Sequence, residues 1–213
     1  MHRILIIDDH TVVRDGLKRM WEDSQNGGIL FGEAGSGPEA IRLVEQQLWD
    51  MAVLDLSLGA NNGLDVLKQL KQIRPKLPVL ILSMHSEEQY ARRAFQAGAA
   101  GYITKDSTRA ELLGALNKVK DGGRYISPNL AERLLTQLDK SIPDAPHECL
   151  SNREFEVMCL IATGKTLSEI AELLSLSDKT ISTYRARILE KMAMKTNAEL
   201  TYYAIQNKLV NKP

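Results

Sequence analysis

The stretch "ILIIDDH" (residues 4–10) sets two adjacent carboxylates, Asp8 and Asp9, at the end of an apolar run. Asp55 ends a second such run, Ser83 a third and Lys105 a fourth. Carboxylates gathered in one crevice repel, at several kcal/mol, unless a cation or a proton relieves them. Oxygen donors favour a hard cation, and Mg²⁺ suits a site with few carboxylates that keeps waters. A hydroxyl and an ammonium facing a metal-bound carboxylate make a place for a phosphoryl group: the cation takes one oxygen, Ser83 another and Lys105 a third. Asp55 is then the nucleophile, and the catalysis is positioning and charge neutralisation.

That chemistry requires a fold that brings strand ends together. Candidate strands are "RILIID" (3–8), "ILFGEA" (29–34), "MAVLDL" (51–56), "PVLILS" (78–83) and "AGYITK" (100–105). A helical pattern follows each one. Ala40, Ile41, Val44 and Leu48 recur at helix spacing, as do Leu64, Leu67, Leu70 and Lys71. Near-continuous apolar strands with crossover helices describe a parallel sheet covered on both faces. The reading is a flavodoxin-like (βα)5 doubly wound fold over residues 1–120. With strand order 2-1-3-4-5 its site lies at the carboxyl ends of the strands, where the first and third strands are neighbours.

The chain has 213 residues, enough for one large domain or two small ones. Its 44% hydrophobic and 25% charged residues are those of an ordinary soluble protein. No run is long enough for a membrane span and no secretory signal precedes the first strand. Cys149 and Cys159 have no metal or redox spacing and read as free thiols. Zero net charge argues against a long-range grip on nucleic acid, though not against a local one.

After residue 120 the pattern changes. Residues 121–149 read as a linker, with a helix near 128–139 and a loop holding Pro143 and Pro146. From residue 150 to 213 only helices are expected, a four-helix unit. Ser151…Glu154, Thr166…Glu169 and Thr196…Glu199 each fit the capping box. Leu167, Ile170, Ala171 and Leu174 line one helix; Ile181, Tyr184, Ile188 and Met192 line the next, across the three-residue break "SLS". This is a helix-turn-helix pattern. Lys179, Ser182, Thr183 and Ala186 then point outward, with Arg185 and Arg187 at the sides, as suits a helix entering the major groove. Five cations stand against two acids over residues 178–195, a modest excess, so a monomer binds DNA weakly and dimerisation matters. On charge alone, a basic solvated helix is an equal reading.

The set Asp8, Asp9, Asp55, Ser83 and Lys105, with "GEAGSGPEAI" and "LSMHSEEQYARRAFQAGAAGYITKD", resembles the receiver domain of two-component response regulators. Residues 150–200, "LSNREFEVMCLIATGKTLSEIAELLSLSDKTISTYRARILEKMAMKTNAEL", resemble the LuxR-type (NarL/FixJ) output domain almost from end to end. The resemblance implies that Asp55 is phosphorylated by a sensor histidine kinase and that Asp9 ligates Mg²⁺ directly. It also makes Asp8 a ligand through water, the Ser57 carbonyl a further ligand, and Tyr102 the switch aromatic that turns inward. By the same resemblance Lys179, Thr180, Ser182, Thr183, Arg185, Ala186 and Arg187 meet double-stranded DNA. Thr196, Tyr202, Tyr203 and Ile205 on the last helix give the contact of a homodimer formed on phosphorylation.

Some positions depart from the family pattern. Gly59 stands where the family has proline, Met84 where a small residue is common, Ser182 where many relatives have lysine and Tyr184 where they have histidine. Met84 is expected to narrow access to the phosphoryl group. His10 and His85 lie near the cleft without the spacing that supports metal or phosphorelay chemistry. Trp21 and Trp49 read as partly buried packing residues. An aspartyl-phosphate hydrolase would need a general acid two residues after its nucleophile, and Ser57 cannot serve. The expectation is a cytoplasmic transcription factor, a phosphoacceptor rather than an enzyme beyond self-phosphorylation from small donors and autodephosphorylation. The alternative is a phosphorylation-independent DNA-binding regulator that uses its receiver as a dimerisation module.

Overall fold

The computed structural model describes residues 2–23, 28–59, 61–84, 87–128, 130–132 and 145–210. The chain forms two compact units that divide between Glu132 and Arg133.

In the first unit five apolar runs become parallel strands: β1 (His2–Ile7), β2 (Ile29–Ala34), β3 (Met51–Leu54), β4 (Val79–Ser83) and β5 (Gly101–Thr104). Their order across the sheet is β2-β1-β3-β4-β5, the expected doubly wound order. Every residue of β3 and β4 is buried, and so are residues 4–7 of β1. That explains why these strands read as continuous apolar runs rather than as alternating ones. The crossover helices are α1 (Thr11–Glu22), α2 (Gly37–Gln46), α3 (Gly63–Ile73), α4 (Glu87–Gln96) and α5 (Arg109–Lys120). One side of the sheet buries Ile4, Ile6, Met51 and Val53 with Leu17 and Trp21 of α1 and Leu116 of α5. Each such aliphatic side chain contributes about 1.5–3 kcal/mol. Trp21 is fully buried, deeper than the sequence suggests, whereas Trp49 is half-buried over Gly32 with its indole N–H on the Leu43 carbonyl.

Local signals place the helix starts. The Ser36 hydroxyl accepts the Glu39 amide ahead of α2, which carries Pro38 in its first turn, and the Asn62 side chain accepts the Leu64 amide ahead of α3. Thr108 and Glu111 form a full capping box on α5 that the sequence reading passed over. Leu48, expected on the α2 stripe, falls beyond the end of that helix and is exposed. Lys71 reaches past the end of α3 to the Leu77 carbonyl at 2.8 Å. Beyond α5 the chain returns to the sheet edge, where the Tyr125 amide bonds the Ala100 carbonyl at 2.9 Å. Of the helix expected near 128–139, residues 128 and 130–132 are helical and the rest lies outside the described residues.

The second unit is helical. A short 3-10 turn (Pro146–Cys149) leads into α6 (Asn152–Ala162), α7 (Leu167–Leu173), α8 (Asp178–Lys191) and α9 (Asn197–Gln206). The capping boxes at Ser151/Glu154 and Thr166/Glu169 are complete. The third is not: the Thr196 hydroxyl accepts the Glu199 amide, but the Glu199 carboxylate reaches one residue further back, to the Lys195 amide at 2.7 Å. Ile170, Ile181, Ile188, Leu200 and Ala204 are fully buried between the helices, and Tyr184 is half-buried.

Candidate functional site

At the carboxyl edge of the sheet the predicted residues converge. β1 ends before Asp8, whose amide bonds the Ala34 carbonyl of β2 at 3.1 Å; β3 ends before Asp55, whose amide bonds the Ile7 carbonyl at 2.9 Å. Both carboxylates are buried, Asp8 to 2% exposure and Asp55 likewise to 2%. Asp9 is exposed at the mouth. The Lys105 ammonium lies between the two buried acids, 2.7 Å from Asp8 Oδ2 and 2.7 Å from Asp55 Oδ2. The backbone brings it there, because the Lys105 amide donates to the Ser83 carbonyl at 2.8 Å where β4 and β5 end. Ser83 and Tyr102 are fully buried.

Burial pushes the Asp55 carboxyl above its ordinary value, against the opposing pull of Lys105 and the Ser57 amide. For Lys105, burial works to lower the ammonium, but its bonds to Asp55 and Asp8 outweigh it and hold the group above its ordinary value. The pair is a charge-assisted bridge in a poorly solvated place, strong only while both partners are present.

The loop after β3 is shaped by contacts at backbone distance. The Ser57 amide donates to Asp55 Oδ1 at 3.1 Å, and Ser57 and Leu58 pair antiparallel with Asn62 and Asn61. Gly63 lies flush against this loop: a Cβ there would sit 2.4 Å from Leu56 Cα and 2.6 Å from the Asp55 carbonyl oxygen. Gly59 has φ +53°, which proline cannot adopt. The family's proline is thus absent from a loop whose backbone excludes it. Met84 is 73% exposed beside the fully buried Ser83. His85 lies outside the described residues.

His10 lies against the two acids at the end of β1. Its Nδ1 is 2.8 Å from Asp9 Oδ1 and 3.2 Å from Asp8 Oδ1, and its amide donates to Asp8 Oδ1 at 2.8 Å. Asp8, Asp9, His10 and Asp55 each offer a ligand atom within 4.8 Å of the others. The signal was the adjacency of His10 to the two acids, not the His–His or His–carboxylate spacing that was sought. Arg14 was also missed. It spans from the Asp8 carbonyl, at 2.6 Å, to Glu33 Oε2, at 2.8 Å, and braces β1 against β2. Lys18 first, then Arg14, holds Glu33 below the usual carboxylate range.

In the second unit α8 presents Lys179, Ser182, Thr183, Ala186 and Arg187 to solvent, as its stripe of Ile181 and Ile188 requires. Not every polar group is free. The Thr183 hydroxyl donates to the Lys179 carbonyl at 2.9 Å, and the Thr180 hydroxyl pairs with that of Ser177 at 2.8 Å. Arg185 is half-buried, with its Nε donating to Asn197 Oδ1 of α9 at 2.6 Å. Ser168 of α7 holds Asp178 at 2.6 Å, which ties the two helices of the turn together. On α9, Thr196 caps the helix, Tyr202 is exposed, Ile205 is half-buried, and the Tyr203 hydroxyl is engaged by His147 Nδ1 at 2.8 Å. No described helix is long and apolar enough to cross a membrane.

An acid-and-lysine cleft on a 2-1-3-4-5 sheet, followed by a four-helix unit with a helix-turn-helix, defines a receiver joined to a DNA-binding output domain. Comparison agrees: residues 4–117 match the response regulator receiver domain family, and residues 148–204 match the bacterial regulatory proteins of the luxR family. This chain belongs to the LuxR-type response regulators of two-component systems. It is similar to the response regulator UvrY of Escherichia coli (strain K12), 33% identical over 99% of this chain and 97% of that protein. GacA of Pseudomonas aeruginosa is 34% identical over 99% of each. A LuxR-family response regulator from Aurantimonas covers 65% of this chain and 98% of its own, with 34% identity and TM-score 0.59. RcsB of Salmonella enterica serovar Typhimurium, solved bound to a promoter in the presence of phosphomimetic BeF3−, shares the fold at TM-score 0.63 and 24% identity, over 96% and 98% of the two chains.

Proposed function

We propose that this chain is a phosphorylation-switched transcription factor in which Asp55 accepts a phosphoryl group from a sensor histidine kinase. The observation that carries this is the bridge from Lys105 to the two buried acids, Asp8 and Asp55, at one edge of the sheet. The Asp55 carboxylate attacks phosphorus, the bond from phosphorus to the donor's imidazole nitrogen breaks, and the donor leaves as neutral imidazole after taking up a proton. Lys105 follows the negative charge from the carboxylate to a phosphoryl oxygen, and the Ser83 hydroxyl donates to another. The donor set fits a hard divalent cation, because buried carboxylates that already hold one ammonium are fitted to hold positive charge. Asp8, Asp9, Asp55 and the Ser57 carbonyl would hold Mg²⁺, which supplies charge neutralisation on the transferring group.

The switch proposed is a shift of Ser83 and the buried Tyr102 that favours a homodimer bound to double-stranded DNA through α8. No activity is assigned beyond self-phosphorylation from small donors and autodephosphorylation, and the place of action is the cytoplasm. The test is intact mass after incubation with acetyl phosphate and Mg²⁺. Wild type should gain one phosphoryl group and Asp55→Asn none, while Asp9→Ala should lose the Mg²⁺-dependent phosphorylation. Equal gain in Asp55→Asn, or normal Mg²⁺ dependence in Asp9→Ala, would overturn the assignment. A wild type that takes neither phosphoryl nor beryllofluoride would leave the receiver as a dimerisation module.

A further inference from the structure

We infer that Asn197 is a positioning residue for DNA binding: it holds Arg185 of the recognition helix as a pre-set contact to a DNA phosphate. The inference rests on the reading of α8 as the helix that meets DNA. Four cations flank or lie on its outer face, Lys179, Arg185, Arg187 and Lys195, and among the described residues none of them forms an ion pair. Among the described residues three of these side chains make no hydrogen bond, while Arg185 is fixed by Nε to Asn197 Oδ1 at 2.6 Å.

The chemistry of the acceptor matters. A carboxylate at this position would neutralise the guanidinium in an ion pair. The neutral amide fixes the side chain through Nε and leaves the full positive charge and the terminal N–H groups for a partner. Arginine carries about 2 kcal/mol of rotamer entropy, so a side chain ordered before contact loses less on binding. The acceptor also comes from the right place. Asn197 is the first residue of α9, which packs on the buried side of the unit through Leu200 and Ala204, so the bond ties the exposed flank of α8 to the core. The Thr183 hydroxyl proton is taken by the Lys179 carbonyl and the Thr180 hydroxyl pairs with that of Ser177, so a fixed cation takes a larger share of the positioning on the duplex.

The experiment is a salt titration of full-chain binding to a short duplex of mixed sequence, with and without acetyl phosphate and Mg²⁺, because phosphate contacts do not depend on sequence. Arg185→Met should weaken binding and reduce the slope of log affinity against log salt by about one. Asn197→Ala, an easily accommodated change at a helix start, should weaken binding about threefold in the wild-type background. In the Arg185→Met background it should cost nothing, because Asn197 acts through Arg185. An equal cost in both backgrounds would make Asn197 merely structural and overturn the inference. An unchanged slope in Arg185→Met would overturn it too. Absence of any wild-type binding in either condition would instead overturn the DNA-binding reading of α8, and the inference with it.

Discussion

Lys105 Nζ and Asp55 Oδ2 stand 2.7 Å apart across the ends of β5 and β3, and the same ammonium holds Asp8 at 2.7 Å. One positive charge therefore balances two buried carboxylates. Removing it in Lys105→Met leaves both acids facing each other in a place that water reaches poorly. The expected cost is on the order of 3 kcal/mol, limited because Asp55 can escape by taking up a proton. A divalent cation should restore part of it by binding the same acids. Urea unfolding of wild type and variant, with and without Mg²⁺, checks this: the variant's midpoint should rise with Mg²⁺ by more than that of wild type. An equal rise in both would mean that Lys105 does not share the acids with the cation.

Gly63 makes a separate prediction about the loop that carries Asp55. A methyl group there would meet backbone on both sides, Leu56 Cα at 2.4 Å and the Asp55 carbonyl at 2.6 Å, and backbone cannot swing aside as a side chain can. Gly63→Ala should cost about 1–3 kcal/mol, as overpacking of an ordered site does. It should also slow acceptance of phosphoryl from acetyl phosphate, because Asp55, the proposed nucleophile, moves with its loop. Stability and phosphorylation rate should fall together; a stability loss with an unchanged rate would show that the strain is absorbed in α3.

Much of this was legible in the sequence because it follows from periodicity. The buried strands read as apolar runs, and the acids at their ends could be placed once the strand order was known. Contacts set by tertiary geometry were not legible. Arg185 meets Asn197 across a turn, with no periodic signal to announce it. Arg14 reaches the Asp8 carbonyl because α1 packs along β2. His10 carries no ligand spacing in the sequence, yet its own backbone amide turns back onto Asp8 and brings the ring to the acids. The incomplete third capping box shows the same limit: Thr196…Glu199 has the right spacing, yet the carboxylate chose a donor one residue earlier.

Glu154 and Lys191 give a pH dependence in the output domain. The Glu154 carboxylate accepts the Ser151 amide at 2.8 Å and the Lys191 ammonium at 2.6 Å, joining the start of α6 to the end of α8. Burial raises this carboxyl, but the Lys191 bond and the Ser151 cap outweigh it, so the group lies below the ordinary value of 4.5. A folded-state value below the unfolded one contributes stability above about pH 4.5, and that stability is lost as pH falls through the lowered folded value. With Lys191 partly in solvent, the pair is worth about 1 kcal/mol. Relative to its intrinsic pH-dependent rate, amide exchange over α6 and α8 should therefore quicken below pH 4.5 in wild type. In Lys191→Met it should be faster at neutral pH and respond less to acid. The same acid response in both would assign it to another group.

Gly59 gives the last prediction, because here the chain departs from its family. Restoring the family's proline would look like a stabilising change, since proline removes freedom from the unfolded chain. The backbone at Gly59 has φ +53°, however, and proline is held near −65°, so Gly59→Pro must move the loop between Asp55 and Asn62. Alanine can enter the left-handed region at about 1–2 kcal/mol. Its Cβ would stand 3.7 Å from Asp9 Oδ2, an ordinary contact. The expected order of stability is glycine above alanine above proline. Mg²⁺ affinity should fall mainly in the proline variant, because only there must the loop beside Asp9 be rebuilt. Calorimetric unfolding and Mg²⁺ titration of the three proteins check the order. A proline variant as stable as wild type, with unchanged Mg²⁺ affinity, would show that the loop reaches the family's conformation at no cost and that the glycine is incidental.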